Sequence, residues 1–202
     1  MVPFPLTSIV SRAQELLGEV LNAGELAVDL TAGGGRDTLF LARRVGPEGR
    51  VLSFDIQQEA LTRSAGLLTN AGISPFFHGA PPASPLPCGV HLIHDCHSRL
   101  ENYLDASPSA VIANLGFLPG GDKARTTLPA TTLAALGCAL ESLAPGGRLA
   151  VAVYVGHPGG AKEGRVVEDL FQSLPPQRWQ VLRLQVFNCA TPPFLLIAEK
   201  RS

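Results

Sequence analysis

Three acidic residues and a run of glycines stand at spacings that suit a positively charged, nucleoside-bearing ligand. Asp29 lies within Ala27–Leu30, a short apolar stretch that reads as a buried strand. Thr31-Ala32-Gly33-Gly34-Gly35 follows as a tight turn, and Asp37 and Thr38 open a helical pattern over Asp37–Val45. About twenty residues further on, Asp55 ends a second apolar strand and is followed by Ile56 and Gln57. Consecutive glycines let the chain turn sharply and let a ligand reach backbone with no Cβ in the way. A carboxylate at the end of the second strand can accept hydrogen bonds from a ribose diol. A pyrophosphate would be repelled by Asp29 and Asp37, and Arg36-Asp37-Thr38 stands where a G-x-G-x-x-G turn would supply its third glycine. The same carboxylates suit an amino-acid ammonium and a sulfonium. The ligand these residues fit is S-adenosylmethionine. Residues expected to line it are Asp29, Thr31, Ala32, Gly33, Gly35, Asp37, Thr38, Asp55, Ile56 and Gln57, with Asp95 and His97 bordering the adenine and Asn114 and Leu115 beside the methyl group.

A second constellation follows the fourth predicted strand, Ala110–Asn114, at the sheet edge where ligands of open α/β folds sit. Asn114 offers an amide that donates and accepts, Phe117 a flat wall for a planar base, and Gly116 and Leu118 a close main chain. The order resembles the Asn-Pro-Pro-Tyr loop of amino-group methyltransferases, with Leu115-Gly116 in place of Pro-Pro, so the likeness is one of position. After the fifth strand comes Tyr154-Val155-Gly156-His157-Pro158-Gly159-Gly160, with Glu163 in the next helical turn. An imidazole at His157 titrates near neutrality and could take a proton from an ammonium, oriented by Tyr154 and Glu163; alternatively it bonds only to loop backbone. Lys123, Arg125, Lys162 and Arg165 flank these loops, either as a phosphate grip or as a solvated face. His91 and His94 point to opposite faces of one strand, so with Cys96 and His97 they make an awkward tetrahedral set, and no metal is expected.

The elements that must hold these groups read as a single α/β domain over residues 1–202. Apolar runs alternate with amphipathic stretches, which argues for βαβ units and a mostly parallel sheet of seven strands with helices on both faces. Strands are expected at Ala27–Leu30, Val51–Asp55, His91–His94, Ala110–Asn114, Arg148–Val155, Val181–Asn188 and Phe194–Glu199. Helices are expected at Ser8–Leu21, Asp37–Val45, Gln57–Ala71, His97–Tyr103, Pro129–Leu143 and Gly160–Leu174. The Pro-rich stretch from Phe77 to Pro87 reads as a loop or a short edge segment. With 46% hydrophobic and 16% charged residues, the chain can fill such a core. No run reaches the length of a membrane span and no signal peptide stands out, so a cytoplasmic protein is expected, with its four cysteines reduced and mostly buried. Net charge is −1, so any nucleic acid must be held by a local basic patch.

Asp29, Gly33 and Gly35 form the D-x-x-x-G-x-G pattern of class I methyltransferases, which this segment resembles. AVDLTAGGGRDTLFLA, FDIQ, the histidine of HDCHSRL, NLGFLPGGDK, TTLPATTLAAL, YVGHPGG with Glu163, and FNCATPPFLLIAEK together resemble one family, long labelled rRNA methylases. The likeness runs from about residue 8 to the C-terminus; departures are Gly34 where Asn is usual, Phe117 where Tyr is common, and the Pro-rich Ala80–Pro87. The resemblance implies a Rossmann-like class I fold and methylation of the 5-aminomethyl group of 2-thiouridine at the tRNA wobble position. The implied partner is therefore the tRNA anticodon loop. Asn114 with the Leu115 or Gly116 carbonyl would then aim the nitrogen, Phe117 would stack on the uracil, and His157 would take the proton. Gly116, Leu118, Lys123, Arg125, Gly159 and Glu163 would meet the RNA. Other readings are rRNA as substrate, a free small-molecule amine, and a nucleotide-binding scaffold with a decayed loop; a homodimer stays open.

Overall fold

The computed structural model describes residues 8–116, 126–156 and 158–202. Phe117, Leu118, Lys123, Arg125 and His157, on which several expectations fall, lie outside the described residues. The first helix, α1 (Ile9–Gly18), is capped by Ser8, whose hydroxyl accepts the Ser11 N–H at 3.3 Å. Then come β1 (Leu26–Asp29), α2 (Arg36–Val45), β2 (Arg50–Phe54), α3 (Gln58–Asn70), β3 (Phe76–His78), β4 (Gly89–Ile93) and a 3-10 helix (His97–Tyr103). The second half holds β5 (Ala110–Leu115), α4 (Pro129–Ser142), β6 (Arg148–Val153), α5 (Gly160–Gln172), β7 (Trp179–Gln185) and β8 (Phe194–Lys200).

The strands form one sheet in the order β3-β4-β2-β1-β5-β6-β8-β7. Pairings from β3 through β6 are parallel, and β8 pairs antiparallel with both β6 and β7. The fold is the expected mostly parallel α/β sheet, with eight strands among the described residues where seven were expected. The additional strand is β3, three residues whose phenylalanines are half exposed, too short and too open to give an apolar signal. It pairs with β4, and a His78–His91 hydrogen bond of 2.9 Å ties the two strands. The edge-segment reading of the Pro-rich stretch holds for its first residues. Strand β7 begins at Trp179, two residues before its expected start at Val181.

Alternate residues of the central strands feed two cores, as a sheet covered on both faces requires. Val28, Leu52, Val111, Val151 and Leu196 meet α4, α5 and the 3-10 helix through Leu136, Phe171 and Leu100. Ala27, Val51, Ile112, Ala150 and Ala152 face α1, α2 and α3 through Leu17, Leu41 and Leu61. Alanines on the second face let α1 lie close to the sheet, and each fully buried Leu adds about 1.5–3 kcal/mol relative to exposure. The cysteines depart from expectation: Cys88 and Cys189 are exposed and Cys96 and Cys138 half-buried, all four free.

Beyond β1 the chain crosses by α2 to β2 on one side, while β5 lies on the other, so strand order reverses between β1 and β5. Such a reversal leaves a crevice at the carboxyl ends of the strands. The glycine turn sits at its mouth. Gly35 caps α2 in a left-handed conformation (φ 79°), and a Cβ there would lie 2.7 Å from the Ser64 Cα of α3. Gly34 has no atom within 4 Å of the same virtual position. Gly35→Ala should therefore cost more than about 1 kcal/mol in urea unfolding, whereas Gly34→Ala should stay within about 0.5 kcal/mol of the parent. Equal effects would refute this account of the turn.

Candidate active site

The turn is built around the Asp29 carboxylate. Its Oδ1 accepts the Thr31 N–H at 3.0 Å and its Oδ2 the Thr38 hydroxyl at 2.7 Å, while Thr38 Oγ1 also lies 2.8 Å from Ser53 Oγ. Asp29 and Thr38 have no accessible surface, which corrects the expectation that they touch a ligand directly. They shape and charge the turn from beneath. Asp55 clasps it from the next strand, with Oδ2 accepting the Gly33 N–H at 3.0 Å and Oδ1 the Gln57 N–H at 2.9 Å. Ser64 of α3 completes the clasp by donating to the Gly33 carbonyl. Beside Asp55, Ile56 is 55% exposed, an apolar surface large enough for a flat ring. Ala32 is buried and contributes backbone only.

On the β5 side the ladder opens. Leu30 N–H donates to the Ile112 carbonyl at 2.9 Å, and a continuing parallel ladder would return a bond from Asn114 N–H to the Leu30 carbonyl. Instead Asn114 N–H donates to Thr31 Oγ1 at 2.8 Å, and the Leu30 carbonyl accepts from His97 Nδ1 at 3.1 Å. The Asn114 amide is oriented by Asp37, whose Oδ2 accepts Nδ2–H at 2.6 Å; Asp37 Oδ1 accepts from Gln14 Nε2 at 2.6 Å. Turning the amide over would set its oxygen against the carboxylate. Asn114 Oδ1 is thereby left as a buried acceptor with no partner among the described residues. Gln14 was not foreseen: it lies on α1 among helix-period apolar residues, and nothing local ties it to Asp37.

The expected substrate side is partly rebuilt. Glu163 is buried at 2% exposure, with Oε2 accepting the Thr127 hydroxyl and Oε1 the Thr132 hydroxyl, each at 2.7 Å. Both its oxygens pin α5 to the start of α4 rather than facing a ligand, and His157, which it was expected to orient, lies outside the described residues. Gly116 is fastened at both ends to Thr127, its N–H donating to Oγ1 and its carbonyl accepting the Thr127 N–H. The Leu115 side chain is in the core, which leaves its backbone carbonyl as the group expected to aim the nitrogen. Tyr154 is 39% exposed, and burial together with nearby Asp37 pushes its hydroxyl above the usual range. Gly159, Lys162 and Arg165 are exposed at and after the α5 N-terminus.

Asp95 and His97, the expected adenine border, both have partners within the protein. Asp95 Oδ2 accepts the Tyr103 hydroxyl at 2.8 Å, its Oδ1 caps the Cys96 N–H, and Arg99 pairs with it, so it anchors the 3-10 helix. His97 enters the crevice itself, with Nε2 buried and unpartnered among the described residues. His91 is occupied by His78 and the Pro87 carbonyl, His94 by the Ile56 carbonyl. No group of three His, Cys, Asp or Glu gathers as a metal set among the described residues. Nor is any described helix long and apolar enough to cross a membrane.

Asp29, Asp37 and Asp55 have no ion-pair partner among the described residues, and desolvation raises all three above the carboxylate range. Asp29 is pushed up to about 7 by burial, then by the neighbouring Asp37 charge. A raised carboxyl holds a proton in the folded chain that the unfolded chain has released. The stability it contributes is therefore whole below pH about 4 and lost as pH rises through about 7. Asn at position 29 could keep both hydrogen bonds without titrating. The stability of the parent minus that of Asp29→Asn should fall by more than about 1 kcal/mol from pH 4 to 7 in chemical denaturation; a flat difference would refute the assignment.

Comparison with known proteins agrees with this geometry. The family model described as "Putative rRNA methylase" matches residues 51–199. A curated relative from Arabidopsis thaliana, the chloroplastic tRNA (mnm(5)s(2)U34)-methyltransferase, is 36% identical over 190 residues, covering 91% of this chain. This chain spans 66% of that relative's length. Among solved structures, an rRNA-methylase so designated from Clostridium thermocellum matches with a TM-score of 0.86 at 33% identity, covering 98% of this chain and all of that one. A Streptococcus mutans methyltransferase solved in complex with SAH matches with a TM-score of 0.80 at 34% identity over 99% of each chain. The turn, the opened ladder and these likenesses lead to one conclusion: the chain has the class I methyltransferase fold and belongs to the family whose model is described as rRNA methylase.

Proposed function

We propose that this protein transfers a methyl group from S-adenosylmethionine to an amino nitrogen in RNA, the 5-aminomethyl group of (2-thio)uridine at the tRNA wobble position. The observation that carries the reading is the pairing of three carboxylates that have no ion-pair partner among the described residues with an Asn114 Oδ1 likewise unpartnered among them. The acids form a site for a cation and, with the open backbone at Gly34, leave room for the cofactor. Bound there, S-adenosylmethionine would supply an electrophilic methyl group. Asp55 would accept from the ribose, Ile56 would lie against the adenine, and Asp37 with buried Asp29 would set the negative field near the ammonium and sulfonium. Asn114 Oδ1 would accept a hydrogen from the target nitrogen and aim its lone pair.

The choice of tRNA rests on the plant relative's name and of an amine on the Asn114 acceptor. A wobble base is single-stranded and can enter a pocket without opening a duplex. Phe117 would stack on the uracil, and Lys123 and Arg125, with exposed Lys162 and Arg165, would hold phosphates. Four free thiols fit a reducing cytoplasm.

The decisive experiment incubates the protein with labelled S-adenosylmethionine and tRNA bearing the unmethylated aminomethyl group, followed by nucleoside mass spectrometry. Label should appear in 5-methylaminomethyl-2-thiouridine; label only in rRNA or free amines would overturn the assignment. By calorimetry, Asp55→Ala should weaken cofactor binding about ten- to a hundredfold, the loss of about 1.5–3 kcal/mol for a charge-assisted hydrogen bond. Asn114→Ala should lower kcat far more than cofactor affinity; activity within twofold of the parent would remove Asn114 from the mechanism. Replacing Lys123 and Arg125 with Ala should flatten the salt dependence of tRNA binding by about 0.7–0.9 per lost phosphate contact. An unchanged slope would show a merely solvated patch.

A further inference from the structure

One hydrogen bond separates Gln14 from Asp37 and a second separates Asp37 from Asn114, although the three residues come from α1, α2 and β5. Strand alternation and helix packing bring them together. Ile112 is in the core beneath α1, α2 and α3, so the Asn114 side chain, two residues on, points to the same face of the sheet. Val10, Gln14 and Gly18 stand four residues apart in one row of α1. At Gly18 a Cβ would lie 2.7 Å from the Arg44 guanidinium of α2, so this row runs close against that helix. Gln14 meets Asp37 in the first turn of α2.

The bonds have a single polarity. An ionised carboxylate only accepts, so each oxygen of Asp37 takes the NH2 end of an amide. Gln14 supplies it to Oδ1 and Asn114 to Oδ2, each at 2.6 Å. With its nitrogen committed, Asn114 turns Oδ1 away from Asp37, and that atom has no partner among the described residues. We infer that Gln14 is a positioning residue for methyl transfer: by holding Asp37 as an acceptor at both oxygens, it keeps the Asn114 amide turned with its oxygen toward the substrate nitrogen. This rests on the amine-methylation reading above. Were Asp37 to take up a proton, its O–H could donate to Asn114 Oδ1 and the amide would turn over. The site would then present a donor where the amine needs an acceptor. Burial pushes Asp37 toward that protonated form; the Gln14 hydrogen bond opposes it most, followed by Asn114 and the Arg36 charge. Asp29 from β1 and Tyr154 after β6 also feel Asp37: burial raises both, and the Asp37 charge raises them further.

Two variants separate this role from packing. Gln14→Met keeps the length and loses the donor, whereas Gln14→Glu keeps the shape and donates only while the introduced carboxyl holds a proton. Single-turnover methylation of tRNA carrying the aminomethyl group, at saturating S-adenosylmethionine, would be followed from about pH 5 to about pH 9. Thermal unfolding of each variant and NMR titration of the Asp37 carboxyl in the free protein would accompany it. Relative to the parent at the same pH, Gln14→Met should be about ten- to a hundredfold slower at the acid end and approach the parent as rising pH ionises Asp37. Gln14→Glu should do the reverse, near the parent in acid and losing rate as its carboxyl ionises beside Asp37. The Asp37 signal should titrate at higher pH in Gln14→Met than in the parent. Should one variant fail to fold, the slope of the other decides. Parental rates, losses that do not follow pH in these directions, or an unmoved Asp37 titration overturn the inference and leave the methylation reading intact. A parent that does not methylate this tRNA overturns both.

Discussion

The site depends on one interrupted backbone bond. If β1 and β5 continued their ladder one step further, Asn114 N–H and the Leu30 carbonyl would satisfy each other and the sheet would close. A buried peptide group cannot go unpaired without a cost of about 1–3 kcal/mol, so parting the strands requires substitutes for both groups. Thr31 Oγ1 supplies the acceptor and His97 Nδ1 the donor. Each substitute carries chemistry into the gap, since Thr31 leads from the first strand into the glycine turn and His97 brings an imidazole to the switch point. The crevice and its reactive groups therefore have one cause.

Around this opening the buried charges are arranged to be incomplete. Asp29 has donors for both oxygens but no cation among the described residues, Asp55 has two peptide N–H groups, and Asp37 has the amides of Gln14 and Asn114. Hydrogen bonds from neutral donors hold these carboxylates in place without cancelling their charge. The result is a negative potential in a poorly solvated crevice, where a bound cation is worth more than at the surface. Removing Gln14 would free one oxygen of Asp37 and loosen the orientation of Asn114 two contacts away. Gln14 is thus a positioning residue.

Glu163 shows the opposite use of a carboxylate. It lies near the α5 N-terminus, where a negative charge is favoured, and it is filled by two hydroxyls that tie α5 to the segment entering α4. Through Thr127 it also fixes Gly116, the residue that follows β5. Its contribution to the site is to hold the exit of the Asn114 strand in position.

What the sequence determined by itself was the framework: the mostly parallel sheet, the turn after Asp29, Asp55 at the end of the second strand and Asn114 at the end of the fourth one foreseen. These are local properties, written in apolar periodicity, glycine runs and strand ends, and they survive any detail of packing. The tertiary structure decided which polar groups face the crevice. Gln14, Asp37 and Asn114 meet across sequence separations of 23 and 77 residues, and Thr31 and Asn114 across 83. His97 takes the strand gap by bonding the Leu30 carbonyl, and Asp29, Thr38 and Glu163 are buried supports. The reason is that a side chain's type announces how many hydrogen bonds it can make, whereas burial and the distance between elements decide which partners take them. Among the described residues, Asn114 Oδ1 and His97 Nε2 are buried groups left over after that allocation.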